Sequence, residues 1–591
     1  MTVVALKRVT VIGLEHEKTE VLQTLQDLGV MHIIPLAGEA GPAPAEPERT
    51  VAALKYLAAF PRKRRQRTDD AAFNLKQVVN AALNNQHRTR QAEDWADFLR
   101  QRIQQVEPWG EFRYPDLDDV AGQRLWFYVL PHYKMRRLSG LRRPWQVVHR
   151  DSRNSFVVVI SADEPAADEL PVPRTHTGAL SLAELRQRLD RVESELDSLA
   201  LERESLTCWI QLLVTHLGHA ADAADLRHAL AMTYDREGVF AIQGWVPAHR
   251  TGELSRLAES RGLALTAAEP GPNERPPTLL ANRGALAGGE DIVDFYQMPG
   301  YRGWDPSPVI FLSFAAFFAM IMADAGYAAL LAGLLALFHP RLGRTARGRR
   351  LRTLGWAIAG ASAAYGVAVG SYFGVTPAPH SLPGRLHVLH LDDFQQMMTV
   401  SVFVGAGHLL LANALTARQR GTRTEALAPL GWCLAILGGL GLWQAMPGGR
   451  PLLAAGLVLV LLFSGTGPVD TAPAVLRRAL TGLLGLTNVT KVFGDVLSYL
   501  RLFALGLASA SLAVTFNDLA TGAAAGVSGI GTLLFVLILV LGHALNFALC
   551  VVSGVVHGLR LNVIEFYHWG VSEEGYPFKA FAKRGEQAWK T

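Results

Sequence analysis

Hydrophobic and polar positions change their pattern partway along the chain. Up to about residue 300, apolar residues alternate with charged ones in short stretches. From Pro306 to Phe566, Ala, Leu, Val, Gly and Phe dominate and charges retreat to short connections. The first pattern predicts a soluble domain and the second a polytopic membrane domain. In the soluble half, Arg8–Gly13 reads as a strand, Glu17–Leu28 as an amphipathic helix and Met31–Pro35 as a second strand. Together they predict a β-α-β opening of a small α/β domain. Residues 48–106 are polar and helical, with Pro61 placed to break or bend them. Strand patterns return at 124–130 and 155–160, and again at Gly238–Pro247, where the proline ends the strand. Leu182, Leu185, Leu189, Val192, Leu196, Leu199, Leu206, Ile210, Leu213 and Leu217 follow 3-4 spacing, interrupted by Arg203. About five heptads of this kind predict a coiled-coil helix over roughly 180–217, with 48–106 as antiparallel partner in an elongated stalk. A helix in an ordinary bundle is the alternative.

The apolar half contains candidate spans near 309–338, 352–374, 394–416, 428–446, 451–465, 490–516 and 527–567. Loop 339–352 carries Arg341, Arg344, Arg347, Arg349, Arg350 and Arg352. Loop 417–427 carries Arg418, Arg420 and Arg423, loop 466–489 carries Arg477 and Arg478, and the C-terminus has Lys579, Lys583 and Arg584. Loops 375–393, 447–450 and 517–526 are nearly free of Lys and Arg. The positive-inside rule then puts the basic loops and the C-terminus in the cytoplasm. With the N-terminal half also cytoplasmic, 309–338 must enter and leave on one side. Asp324 and Gly326 stand where a turn would fall, so a helical hairpin broken near Asp324 and about eight crossing helices are expected. From Thr532 to Trp569 one helix would reach ~60 Å, about twice the ~30 Å hydrocarbon core, and must tilt, bend or project. Residues 1–300 are thus expected to form an arm and 301–591 the membrane domain.

Composition narrows the function. The 591 residues exceed one domain. The N-terminus has no charged segment followed by an apolar core, so the soluble half is expected to remain cytoplasmic. Cys208, Cys433 and Cys550 are far apart and imply neither a metal site nor a disulfide framework. The net charge of +5 is mild and sits largely in loops between spans, which argues orientation rather than nucleic-acid binding. No phosphate-binding glycine loop follows a strand, so the chain should not hydrolyse a nucleotide itself, and no cofactor is expected.

Two arginines carry the chemistry. Arg501 lies in Asp495-Val-Leu-Ser498-Tyr499-Leu-Arg501-Leu-Phe-Ala-Leu-Gly506, and Arg560 in Ser553-Gly-Val-Val-His557-Gly-Leu-Arg560-Leu-Asn-Val-Ile-Glu565-Phe. A charge at the centre of a membrane helix costs from about 2.5 to more than ~10 kcal/mol, so a chain carrying two should use them. Ala504, Gly506, Ala508, Ser509 and Ala510 around Arg501 would admit another helix closely. At 100° per residue, His543, Asn546, Cys550, Ser553, His557, Arg560, Tyr567 and His568 share one stripe, with Glu565 to one side. Such a stripe lines water, a protein interface or both.

These two segments resemble the arginine-bearing helices of the rotary V/A-type ATPase stator subunit, called subunit a, or subunit I in bacteria and archaea. Gly244-Trp-Val-Pro247, Pro276-Pro-Thr-Leu-Leu, Asp305-Pro-Ser-Pro308, Phe317-Phe-Ala-Met-Ile-Met-Ala-Asp-Ala-Gly-Tyr327, Gly370-Ser-Tyr-Phe-Gly374 and Gly405-Ala-Gly-His408 follow in family order. Ala319 and Ala328 depart from the pattern by small-for-small changes. The resemblance implies a prokaryotic plasma-membrane protein, an ion-translocating stator with no nucleotide site of its own. Its partners would be a rotor proteolipid ring with a buried Glu or Asp, E/G-type peripheral stalks, a d/C-type central-stalk cap and the lipid bilayer. Arg501, with Arg560 beside it, would hold the rotor carboxylate ionised. Half-channel candidates are Glu565, His557, Asp495, Ser498, Tyr499, Ser553, Asn546 and Asp324. The bland alternatives are an interfacial charge for Glu565, a packing hydrogen bond for His557, a first-turn carboxylate for Asp495 and a turn residue for Asp324. His408 reads as packing. The alternative function is a secondary transporter with a regulatory domain, which should show internal repeats; none is seen between 309–416 and 428–567.

Overall fold

The computed structural model describes all residues except 1–2, 37–47, 69–72, 113–120, 167–168, 171, 179, 283, 392, 422–423, 466–470, 527–529, 572 and 584–591. Expectations for Arg423 and Arg584 therefore lie outside the described residues. In chain order the first elements are strand β1 (Leu6–Leu14), helix α1 (Lys18–Leu28) and strand β2 (His32–Ile34). Helices α2 (Glu48–Ala58) and α3 (Leu75–Val106) follow, then strands β3 (Arg124–Pro131), β4 (Trp145–Arg150) and β5 (Asn154–Ser161). Helices α4 (Leu182–Leu206) and α5 (Ile210–Ala231) lead to β6 (Tyr234–Arg236), β7 (Val239–Pro247), α6 (Thr251–Arg261) and β8 (Ala264–Ala268). The chain divides into two compact units, 1–39 with 230–582, and 40–229 with 583–591.

In the first unit the sheet order is β2-β7-β1-β8, with β6 on β7 and every pairing antiparallel. The predicted β-α-β opening is therefore split: β1 and β2 run parallel with β7 between them. That is the split β-α-β arrangement, and residues 40–229 of the second unit are inserted between β2 and β6. Strands β4, β6 and β8 and helix α6 carry no pattern that the sequence reading identified.

In the second unit α3 and α4 run antiparallel. Asn85 Nδ2 donates to Leu199 O at 3.1 Å, Arg88 pairs with Glu195 at 3.0 Å and Arg186 with Glu107 at 2.8 Å. Ala92, Ala96, Leu99, Leu182, Leu185, Val192 and Leu199 form the seam. The helix expected over 48–106 is interrupted between Ala58 and Leu75, where Pro61 removes a donor and clashes with the preceding turn. The interrupting Arg203 is accounted for: its guanidinium lies 3.8 Å from the centre of the Tyr56 ring.

The rest of the first unit is helical: α7 (Gly288–Tyr296), α8 (Ser307–Met322), α9 (Ala325–Leu342), α10 (Ala346–Val369), α11 (Leu382–Arg385), α12 (Phe394–Arg420), α13 (Leu427–Trp443), α14 (Gly449–Phe463), α15 (Ala472–Leu486), α16 (Asn488–Ser498), α17 (Leu500–Gly526), α18 (Gly531–Arg560) and α19 (Tyr567–Gly570). Among the described residues five helical stretches are long and apolar enough to cross a membrane, and α8 and α14 are shorter apolar helices. The chain breaks between α8 and α9 at Ala323, with φ 46°, and Asp324, which caps α9. Both helices flank α10: Gly366 of α10 abuts Ala325 at the start of α9, and Gly355 faces Leu335, past the middle of α9. Gly288 meets Leu354 of α10 and Phe311 near the start of α8. Phe311 of α8 and Leu335 of α9 therefore lie level with the same stretch of α10, about 354–355, while Asp324 and Ala325 lie at Gly366, so the chain reverses at Asp324. The helix expected over 490–516 is likewise in two pieces, broken at Tyr499.

Candidate functional site

Arg501 is the second residue of α17, directly after the Tyr499 break, and α17 packs along α18 and α8. Arg560 ends α18, and residues Leu561–Phe566 continue as a π-helix. A π turn takes in an extra residue and is frequent at functional sites. Here it brings Asn562, Glu565 and Phe566 inward: Glu565, beside the stripe in a regular helix, is only 3% exposed. Asn562 Nδ2 donates to Gly558 O at 2.9 Å, and its Oδ1 accepts from Ser313 of α8. The turn is thereby tied back on both sides.

Arg501, Arg560, His557 and Glu565 lie within electrostatic reach of one another. Arg560 Nε is 3.9 Å from Glu565 Oε1. Arg501 makes no salt-bridge contact with a carboxylate among the described residues, and its Nη1 is buried without a hydrogen bond. Glu565 Oε2 and His557 Nδ1 are also buried and unpartnered. Leaving buried polar atoms unpaired costs about 1–3 kcal/mol each, so three together call for an explanation. The cluster is a set of fixed charges with spare hydrogen-bonding capacity, suited to an incoming anion and a mobile proton.

A second polar cluster lies along the N-terminal part of the stripe. His543 meets Tyr327 OH at 2.8 Å and Asn517 Oδ1 at 3.0 Å. Asn546 Nδ2 donates to Tyr327 OH and to Ser509 O, both at 2.9 Å, and Cys550 Sγ lies 2.8 Å from Ser509 Oγ. Tyr327 and Asn517 were not singled out from sequence: Tyr327 is a lone polar residue in an apolar helix, and Asn517 fell in the loop expected over 517–526, which the structure makes the end of α17.

Asp324, Asp495, Ser498 and Tyr499 have hydrogen-bond partners of their own. Asp324 is 2% exposed and fully engaged, accepting from Tyr327 N, Phe373 N, Gly374 N and Ser371 Oγ at 2.6–3.1 Å. Asp495 lies in the latter half of α16, not in a first turn, and accepts from Trp569 Nε1 at 2.7 Å. Ser498 donates back to Gly494 O at 3.1 Å. Ser553 is half-buried on α18. Tyr499 is fully buried and meets His408. No cluster of three or more metal-ligating side chains occurs among the described residues.

No family model matches the chain. Curated relatives do. The chain is 27% identical over 590 residues to V-type ATP synthase subunit I of Chlamydia muridarum, covering 85% of this chain and 86% of that one. It is 27% identical to V-type ATP synthase subunit I 1 of Treponema pallidum, covering 98% and 100%. This chain is a homologue of V/A-type ATP synthase subunit I. A-type ATP synthase subunit I of Methanocaldococcus jannaschii is 27% identical over 443 residues, 67% of this chain and 64% of that one. Among solved structures, the cytoplasmic N-terminal domain of a subunit I, homologous to subunit a of V-ATPase, covers 44% of this chain at 16% identity, with a TM-score of 0.23 that is too low to argue from.

Proposed function

We propose that this chain is the membrane stator of a rotary V/A-type ATPase or ATP synthase, coupling proton or sodium translocation to rotation of a proteolipid ring. The observation that carries the reading is Arg501, partly buried, with Nη1 free of hydrogen bonds and no carboxylate in salt-bridge contact among the described residues. A ring carboxylate arriving beside it would be held ionised by the opposite charge and would release its ion before passing. Arginine suits the position because it stays protonated in a low dielectric and bridges two oxygens. Glu565 and His557, with Arg560, would form the mouth of the cytoplasmic half-channel, with Asp495 and Ser498 at its approach. The chain Asn517–His543–Tyr327–Asn546–Ser509–Cys550 supplies linked donors and acceptors for the opposite half-channel, with Ser553 between the two. Asp324 is better read as a structural latch, since all its acceptor capacity is used.

In this reading helices α8, α9, α10, α12, α13, α14, α16 with α17, and α18 make eight crossings, with residues 1–300 and the C-terminus in the cytoplasm of a prokaryotic plasma membrane. The antiparallel α3–α4 pair would act as a strut toward peripheral stalk and central-stalk cap subunits. The chain would bind no nucleotide itself. Arg501→Ala should leave the complex assembled and lower ATP-driven ion pumping in reconstituted vesicles by about a hundredfold or more, the scale of losing a buried charge partner. Retained coupled pumping would sink the mechanism.

A further inference from the structure

Each arginine sits next to an irregular point in its helix, and one side chain touches both points. His408 of α12 is 7% exposed. Its Nδ1 meets Tyr499 OH at 2.8 Å, at the break that precedes Arg501. Its ring stacks on Phe566, which closes the π turn after Arg560, with centroids 4.3 Å apart and planes 10° apart. Phe317 of α8 packs edge-on against it at 5.0 Å. The seat is shaped for this contact. Three residues earlier on the same face of α12, a Cβ on Gly405 would lie 2.6 Å from Tyr499 Cγ, so only glycine lets the tyrosine ring lie flat enough for its hydroxyl to reach His408. A phenylalanine would fill the same space and stack as well. The imidazole instead leaves Nε2 buried without a hydrogen-bond partner, a cost that packing alone does not require.

We propose that His408 is a positioning residue for ion translocation, tying the Tyr499 break to the π turn at Phe566 and so fixing Arg501 relative to Arg560 and Glu565. The proposal rests on the stator reading above. A shift of about 1 Å in a reacting group is enough to cost a large factor in rate, and neither irregular point is held by regular helical hydrogen bonding.

The test uses the complete ATPase complex in vesicles, with pumping normalised to the amount of assembled complex. His408→Phe keeps the stack and loses the hydrogen bond; Tyr499→Phe removes one oxygen atom. Each should lower pumping per assembled complex by roughly three- to tenfold, the scale of one neutral hydrogen bond. His408→Asn, which restores a group facing the tyrosine hydroxyl, should recover part of the loss. The double variant should pump no worse than the weaker single one, since both remove the same bond. Unchanged pumping per complex in Tyr499→Phe, or losses that multiply in the double variant, would overturn the proposal. A fall only in the amount of complex assigns the pair to folding and overturns it too. Should His408→Phe not assemble, Tyr499→Phe decides. Arg501→Ala is run alongside: if it pumps normally the stator reading fails, whereas a silent Arg501→Ala beside fully active phenylalanine variants removes only the role of His408.

Discussion

At the residue scale, a buried carboxylate is defined by what uses its oxygens. Asp324 accepts three backbone N–H groups and one hydroxyl, joining the α8–α9 reversal to the 371–374 loop. Asp324→Ala leaves those backbone donors unpaired among apolar neighbours and should destabilise the chain by about 2–5 kcal/mol. The measurement is the yield and detergent melting temperature of the purified complex. Asp324→Asn, keeping one acceptor, should lose less. If both variants fold normally but pump poorly, Asp324 belongs to the ion path instead. Glu565, near a helix end, could also be read as an interfacial charge, whereas Arg501 and Arg560 were visible in the sequence because a charge inside an apolar run has no cheap alternative reading. Tyr327 and Asn517 were not, since the contact between Tyr327 and His543 joins residues 216 positions apart. His408 read as packing because its ring does pack; its hydrogen bond to Tyr499 could not be inferred from α12 alone.

At the element scale, the reversal between α8 and α9 decides which side each later loop occupies. The break was legible from Asp324 and Gly326 together with the basic loop after it. The Tyr499 break and the π turn were not legible, because no proline or positive-φ glycine marks either. If α8 and α9 reverse, Arg302 and Arg347, both exposed, lie on one side of the membrane and the exposed Val388 on the other. Single cysteines at these positions, in a chain whose three native cysteines are replaced, should give that pattern with a membrane-impermeant thiol reagent. Residues 323–325 are too buried to label and do not serve as reporters. Opposite sides for Arg302 and Arg347 would mean that α8 and α9 form one span.

At the scale of the whole molecule, the segment 576–581 returns to the N-terminal sheet and the 278 loop. Within the unit that holds both, Thr278 N donates to Tyr576 O at 2.8 Å, Phe578 N to Thr278 O at 3.0 Å and Phe581 N to Met31 O at 2.7 Å. His32 of β2 sits between the Tyr576 and Phe578 rings and accepts the Lys579 backbone N–H at 2.9 Å on Nδ1. In the stator reading proposed above, torque borne by α18 would have a second route into the N-terminal sheet, besides the chain joining them. Burial, and then the Lys579 charge, hold the His32 imidazole below its ordinary value of 6.5. The attached tail therefore binds fewer protons than the detached one. Its attachment is at full strength above about pH 6.5 and is lost as the pH falls through the depressed bound-state value. Hydrogen-exchange protection of the Phe578 and Phe581 amides, corrected for intrinsic rates, should fall on acidification from about pH 7.5 to about pH 5. His32→Phe keeps the ring contacts but cannot titrate or accept the Lys579 N–H. It should lower protection at neutral pH and flatten the pH dependence, and an undiminished pH slope in that variant would assign the titration to another group.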